Sequence, residues 1–183
     1  AYCISNYTKE PERTLPKPEI FADALTADHK IMNERGSSRN GDRVSPVIQD
    51  RATHWLQAYL SENKSAKDTI SGFQRFLGPQ IKARHVYTDC SPDFEKAIAD
   101  YGMSHDTSTP HRLQTTGVAE RAVRRVKEGT SSLLVQSGLS DSWWHRAMAA
   151  FCMLRNVHDV LPSGKTAYEQ RFGEPFRGSI IPF

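Results

Sequence analysis

Twenty-one acidic side chains are spread over the 183 residues, and three of them sit where phosphoryl-transfer chemistry would need them. Asp28 falls near the end of a first strand-like segment. Asp89 stops a short apolar run, His85-Val86-Tyr87-Thr88. Glu120 opens a long helical pattern. Hydrolysis or transfer at a phosphodiester asks the protein for little covalent help. It asks for metal ions that activate an attacking oxygen and stabilise a leaving one, commonly a pair about 3.5–4 Å apart. Mg²⁺ takes hard oxygen ligands and keeps several waters, so a few carboxylates suffice. Spacing alone is weak evidence: many trios can be drawn from the acids present, Glu120 is equally a helix-start residue, and Asp89 equally a turn residue.

The Glu120 helix carries more. At about 100° per residue, Glu120, Arg124 and Lys127 fall within roughly 60° of one another, beside the apolar positions. From Arg112 to Lys127 there are five Lys/Arg (Arg112, Arg121, Arg124, Arg125, Lys127) against one acid, Glu120. A carboxylate continued by cations suits metal at one end and phosphates along the rest. The plainer alternatives are a solvated basic face and an i,i+4 salt bridge, the latter worth only a few tenths of a kcal/mol. Arg112 and Gln114, on the segment before the helix, join Arg121, Arg124, Arg125 and Lys127 as candidate DNA contacts.

Several other residues compete for roles. Asp23 is the alternative first acid, and its context is poorer than that of Asp28. Asp50 reads as a turn residue, Asp93 as a cap for the helix starting at Pro92, and His29 as a satisfied polar residue beside the site. Trp143 and Trp144 read as core or interface, Lys64 and Lys67 as solvated. His111 shares the loop of Arg112 and Gln114.

The elements that must position these residues follow from periodicity. Residues 4–19 are polar and punctuated by Pro11, Pro16 and Pro18, an extended linker. Phe21–Met32, Val44–Asp50 and His54–Leu60 read as three strands with short connections, hence an antiparallel meander. Ser65–Leu77 is helical, stopped by Gly78-Pro79. Arg84–Thr88 is a strand, Pro92–Tyr101 a helix and Met103–Asp106 a short strand. Thr107–Gly117 has no period and reads as a loop. Val118–Gln136 is a long helix with Ala119, Ala122, Val123, Val126, Leu133 and Leu134 on its apolar face, closed by Gly138. A helix capped by Ser140 or Asp141 runs to about Val157, and a short one spans about Thr166–Phe172. The order β-β-β-α-β-α-β-α-α predicts an α/β fold, a five-stranded mixed sheet flanked by helices. It is the order of ribonuclease-H-like folds.

Composition sets bounds. Hydrophobic content is 38%, charged content 25% and net charge +3, ordinary for a globular domain. No apolar run approaches the roughly 18 residues of a membrane span, and no signal-peptide pattern opens the chain. An intracellular protein without membrane partners is expected. Cys3, Cys90 and Cys152 lie far apart, which argues against a disulfide framework or a zinc site within the chain.

The stretch Thr107-Ser-Thr-Pro-His-Arg-Leu-Gln-Thr-Thr-Gly-Val-Ala-Glu-Arg121 resembles the loop-and-helix motif of copia-type, retroviral-like LTR-retrotransposon integrases, where the Glu is the third catalytic acid. Tyr87-Thr-Asp-Cys-Ser-Pro-Asp-Phe94 is similar to the family's strand-Asp-Asn-Gly-x-Glu-Phe stretch, Leu25-Thr-Ala-Asp-His29 to its first-strand Asp segment, and Val47–Trp55 to its strand-turn-strand. Gly164–Glu169 with Phe172-Gly173 resembles a downstream segment. Cys90, Ser91, Leu113, Thr115 and Thr116 depart from the pattern, and the interval from Asp89 to Glu120 is shorter than usual there.

The resemblance, spanning about residues 20–176, implies a D,D,E-type polynucleotidyl transferase with Asp28, Asp89 and Glu120 as catalytic metal ligands. It implies Mg²⁺ (or Mn²⁺), two ions with DNA bound, and no small-molecule cofactor. The implied partners are element-end DNA and target DNA, in a homodimer or higher multimer, with 3′-end processing followed by strand transfer. The implied organisation is a linker over 1–19 after a missing zinc module whose last ligand is Cys3, a catalytic core over 20–160, and a helix and tail over 161–183 leading to a missing C-terminal domain. A polyprotein product that passes from a cytoplasmic particle to the nucleus is expected. Two other readings stay open: a nonenzymatic DNA-binding or assembly module, and a ribonuclease-H-type nuclease.

Overall fold

The computed structural model describes residues 17–31, 38–89, 91–107 and 113–180. Five strands form one mixed sheet in the order β3-β2-β1-β4-β5. They are β1 (Ala24–Ile31), β2 (Val44–Asp50), β3 (Leu56–Ala58), β4 (His85–Thr88) and β5 (His105–Thr107). The first three are antiparallel neighbours; β4 and β5 join parallel to β1. The helices are α1 (Ala66–Leu77), α2 (Pro92–Tyr101), α3 (Leu113–Ser137), α4 (Trp144–His158) and α5 (Ala167–Phe172), with a 3₁₀ turn over Asp141–Trp143 ahead of α4.

Strand alternation sorts the core into two layers. Leu25, Ala27, Ile48 and Val86 point to one face, where they meet Phe73, Phe76 and Leu77 of α1 and Phe94 and Ile98 of α2. Val47, Leu56 and Ala58 point to the other, against Ala122, Val126 and Leu134 of α3 and Trp144, Ala147, Met148 and Cys152 of α4. The third long helix and α4 approach unusually closely at Gly129, where an added Cβ would overlap the Phe151 ring.

Element boundaries differ from the sequence expectations for physical reasons. Strand β3 is three residues long where seven were expected. Tyr59 N–H donates to the Pro46 carbonyl at 3.0 Å, but Pro46 has no N–H to return the bond, so the ladder breaks there. At its other end His54 takes a positive φ of 60°. Strand β1 starts at Ala24 rather than Phe21, because Ala22 has φ 72° and Asp23 turns the chain by accepting from the N–H groups of Glu19 and Ile20. Strand β5 starts at His105, after Gly102 in the left-handed region closes α2 and Met103 N–H bonds back to Ile98.

The largest correction concerns α3. It begins at Leu113, five residues before the expected Val118. Thr115, Thr116 and Gly117 are weak helix formers, so no period showed there. At Gly117 the missing Cβ leaves room for the Arg121 guanidinium, whose Nη1 would lie 3.3 Å from it. Residues 108–112, with His111 and Arg112, lie outside the described residues, as do Cys3 and Cys90.

The last helix, α5, docks on the body of the fold. Thr166 and Glu169 form a reciprocal capping box. Arg171 donates to the Phe76 carbonyl at 2.9 Å and lies over the rings of Phe21, Trp55, Phe76 and Phe172.

Candidate active site

Parallel pairing of β1 with β4 brings the first two acids together. Leu25 pairs with Val86 and Thr26 with Tyr87. Carried two residues further, that register puts Asp28 level with Asp89, the residue immediately after β4. Both then share the face of Ala24 and Thr26, opposite that of Leu25 and Ala27. This is the face α3 covers, and α3 carries Glu120.

The electrostatics agree with this placement. Burial pushes the Asp28 carboxyl above its usual range, and the charges of Asp89 and, more weakly, Glu120 push it the same way. The His29 backbone and the charge of Lys64 pull against that rise. Asp28 is half-buried, whereas Asp89 and Glu120 are exposed. Among the described residues, however, no three His, Cys, Asp or Glu side chains converge closely enough to hold one metal ion. The trio shares a face and an electric field without forming a closed ligand set. As a donor set it suits Mg²⁺: three hard carboxylates, mutually repelling, whose repulsion a divalent cation relieves.

The competing acids are otherwise engaged. Asp23 caps the turn before β1 and pairs with Arg84 at 3.2 Å. Asp50, fully buried, accepts from Ala22 N–H at 2.9 Å and from the N–H and hydroxyl of Thr53, both at 2.7 Å. Asp93 sits in the first turn of α2, but the cap position belongs to Ser91.

His29 faces the layer opposite Asp28. Its ring stacks on Phe94 at 4.0 Å between centroids, and its Nε2 lies 3.1 Å from the Thr69 hydroxyl. Its Nδ1 is buried without a partner among the described residues. Burial first, then the Lys64 charge, lowers its pKa to about 4, so the ring is neutral at physiological pH.

Arg121, Arg124, Arg125 and Lys127 are all exposed on α3. None is ion-paired to another described residue, and the Glu120–Arg124 salt bridge is not formed. Gln114 lies within α3. Trp144 is buried in the core, while Trp143 stacks on His145 and carries Arg39 over its ring. Lys67 is exposed, as expected. Lys64 is not a plain solvated lysine: it is half-buried and its charge reaches both Asp28 and His29. Sequence reasoning missed it, because a lone lysine in a polar loop has no distinguishing pattern.

The chain is 33% identical over 137 residues to the retrovirus-related Pol polyprotein of transposon TNT 1-94 from Nicotiana tabacum, a match covering 68% of this chain. It is 24% identical over 140 residues to that of transposon RE2 from Arabidopsis thaliana, covering 73% of this chain. Each match takes in 10% of the polyprotein, so the chain spans about a tenth of the length of these relatives. The HTLV-2 integrase catalytic core domain, solved in complex with magnesium, superposes with a TM-score of 0.62 at 20% identity, covering 83% of this chain and 97% of that one. The chain is a relative of transposon Pol polyproteins with the fold of an integrase catalytic core.

The integrase-type core also matches the simian T-cell lymphotropic virus intasome in complex with the PP2A subunit B56 gamma. There the TM-score is 0.67 at 17% identity, covering 97% of this chain and 63% of that one. At such identities the structural likeness establishes the ribonuclease-H-like fold and nothing finer. No family model matches the chain. No helix among the described residues is long and apolar enough to cross a membrane.

Proposed function

We propose that the chain is the catalytic core of a retrotransposon integrase, a D,D,E-type polynucleotidyl transferase acting through Asp28, Asp89 and Glu120. The observation that carries this reading is the β1–β4 register, which sets Asp28 beside Asp89 under the helix bearing Glu120. Asp28 is held by a strand paired on both sides. Glu120 is held by a helix packed on the sheet. Asp89, on the residue after β4, has the most freedom to adjust.

Bound Mg²⁺ or Mn²⁺, two ions with DNA present, would activate the attacking oxygen and stabilise the leaving one. The exposed cations Arg121, Arg124, Arg125 and Lys127, with Gln114 and Arg112 upstream, hold DNA phosphates along α3. Water attacks near the end of element DNA and frees a 3′-hydroxyl. That hydroxyl then attacks a target phosphodiester, so each step breaks one P–O bond as it forms another. The unformed Glu120–Arg124 pair favours this division of labour, since both groups remain available to ligands. Residues 20–160 are the core, working as a homodimer or higher multimer inside the cell.

The test is incubation of the chain with a duplex of the element's own end and Mg²⁺ or Mn²⁺. Nicked and joined products are expected from wild type and not from Asp28→Asn or Glu120→Gln. The lack of a closed ligand set among the described residues favours a second reading, a nonenzymatic DNA-binding module. That reading predicts DNA binding indifferent to divalent metal and to loss of either carboxylate, with no products from any variant.

A further inference from the structure

Lys64 lies on the loop between β3 and α1. Ser61, three residues earlier, is held by a two-way bridge to Val44, with N–H···O distances of 3.0 and 3.1 Å. Val44 in turn pairs with Ile31, at the end of the strand that carries Asp28. On the other side of Lys64, Ser65 caps α1, and Thr69 of its first full turn touches His29. Both anchors fall within a few residues of Asp28, so the loop has little room to carry Lys64 elsewhere.

Lys64 is half-buried. It has no hydrogen bond or ion pair with any described residue, although Asp28 lies within reach of its charge. A lysine normally loses conformational entropy only in exchange for a partner or for burial of its stem. Lys96, by contrast, pairs with Asp100 at 3.3 Å.

We propose that Lys64 is a phosphate-contacting residue of the acidic site, holding a nucleic-acid phosphate from the β3–α1 loop. The inference rests on the DNA reading above and extends it. Three carboxylates alone repel a polyanion. Beside the exposed α3 cations, Lys64 adds a positive charge from the β3–α1 loop, near enough for it to act on Asp28. A point-charge ammonium suits a phosphate that changes geometry during displacement, since it imposes no planar fork.

The test uses the 183-residue chain and a short mixed-sequence DNA duplex, with affinity measured across a salt series in Ca²⁺ and in EDTA. Lys64→Gln is expected to weaken binding several-fold at low salt and to flatten the log K against log[salt] slope by about 0.9, one phosphate contact. Lys64→Arg should restore most of both, and all variants should melt with wild type. Lys67→Gln, which removes the same charge one turn into α1, should change the slope by much less. A Lys64→Gln slope equal to wild type, or equal to that of Lys67→Gln, overturns the assignment. Loss of strand transfer on Asp28→Asn is read separately. If wild type binds DNA but makes no product, the enzymatic reading fails while the salt slope still decides Lys64.

Discussion

Asn156 holds the edge of the sheet from outside it. It is fully buried on α4, its Oδ1 accepts from Leu56 N–H at 3.0 Å, and its Nδ2 donates to the Leu56 carbonyl at 2.8 Å. On the β2 side the neighbouring Trp55 makes the ladder bond, to Asp50, so both backbone groups of Leu56 point outward and Asn156 takes the place of a sixth strand. Asn156→Leu keeps the volume, so water cannot substitute, and it strands one buried donor and one buried acceptor. Each such group costs about 1–3 kcal/mol, which gives a loss of about 2–5 kcal/mol after some relaxation. For a chain of this size that is about 5–20 °C in Tm. Asn156→Asp separates hydrogen bonding from shape. Its carboxylate faces the Leu56 carbonyl at neutral pH, whereas its protonated form can again donate there. Burial raises the pKa of the introduced group, so its penalty should appear as pH rises and shrink in acid, relative to wild type at each pH. Chemical denaturation of the three proteins across pH is the measurement. A loss below about 1 kcal/mol for Asn156→Leu, or a pH-independent penalty for Asn156→Asp, refutes the reasoning.

Three further outcomes follow from the same packing and charges. The raised pKa of Asp28 means that its ionised form opposes folding. That contribution to stability is complete below the ordinary carboxylate pKa and lost as pH rises through the folded value, so Asp28→Asn should raise Tm in EDTA at neutral pH and lose the gain in acid; a lower Tm at neutral pH contradicts it. Gly129→Ala forces the Phe151 ring aside, which should cost about 1–3 kcal/mol; Phe151→Leu should cost less in that background than in wild type, and additive losses in a double-mutant cycle count against the contact. Cys152 is fully buried, and burial pushes its thiol up to about 12. It should resist thiol reagents in the folded chain and react only on unfolding, as timed mass spectrometry can follow.

How far the sequence carried the structure depended on which forces set each element. Helices α1 and α2 were legible because an apolar period, Ser or Pro near the start and Gly at the end all agree within one segment. The start of α3 was not, since Leu113–Gly117 has weak propensity and no period, and only the longer helix behind it propagates order into that stretch. Strand β3 was overextended because its stop lies in another strand: Pro46, seven residues before Thr53, cannot return Tyr59's bond. The trio was named from spacing and motif, but its shared face depended on the β1–β4 register, a pairing between segments about sixty residues apart that no local pattern encodes. Lys64 shows the same limit in charge, for only the fold brings a loop lysine to Asp28.

Charge placement gives the site its direction. Of the three acids Asp28 is the most withdrawn from water, and its ionisation is opposed by burial and by its two neighbours. Asp89 and Glu120 stay exposed. At the proposed site, a divalent cation approaching from the solvent side would meet the two exposed carboxylates first and would relieve the third as it settled. Removing Glu120 should then weaken first encounter with metal, and removing Asp28 should weaken retention. Equilibrium titration of Mg²⁺ or Mn²⁺, followed by the rise in Tm, should show a wild-type gain that Asp28→Asn reduces, because the neutral amide removes Asp28's share of the repulsion that the cation relieves. An undiminished metal-dependent gain in Asp28→Asn would place the cation elsewhere and count against Asp28 as a ligand of the proposed site.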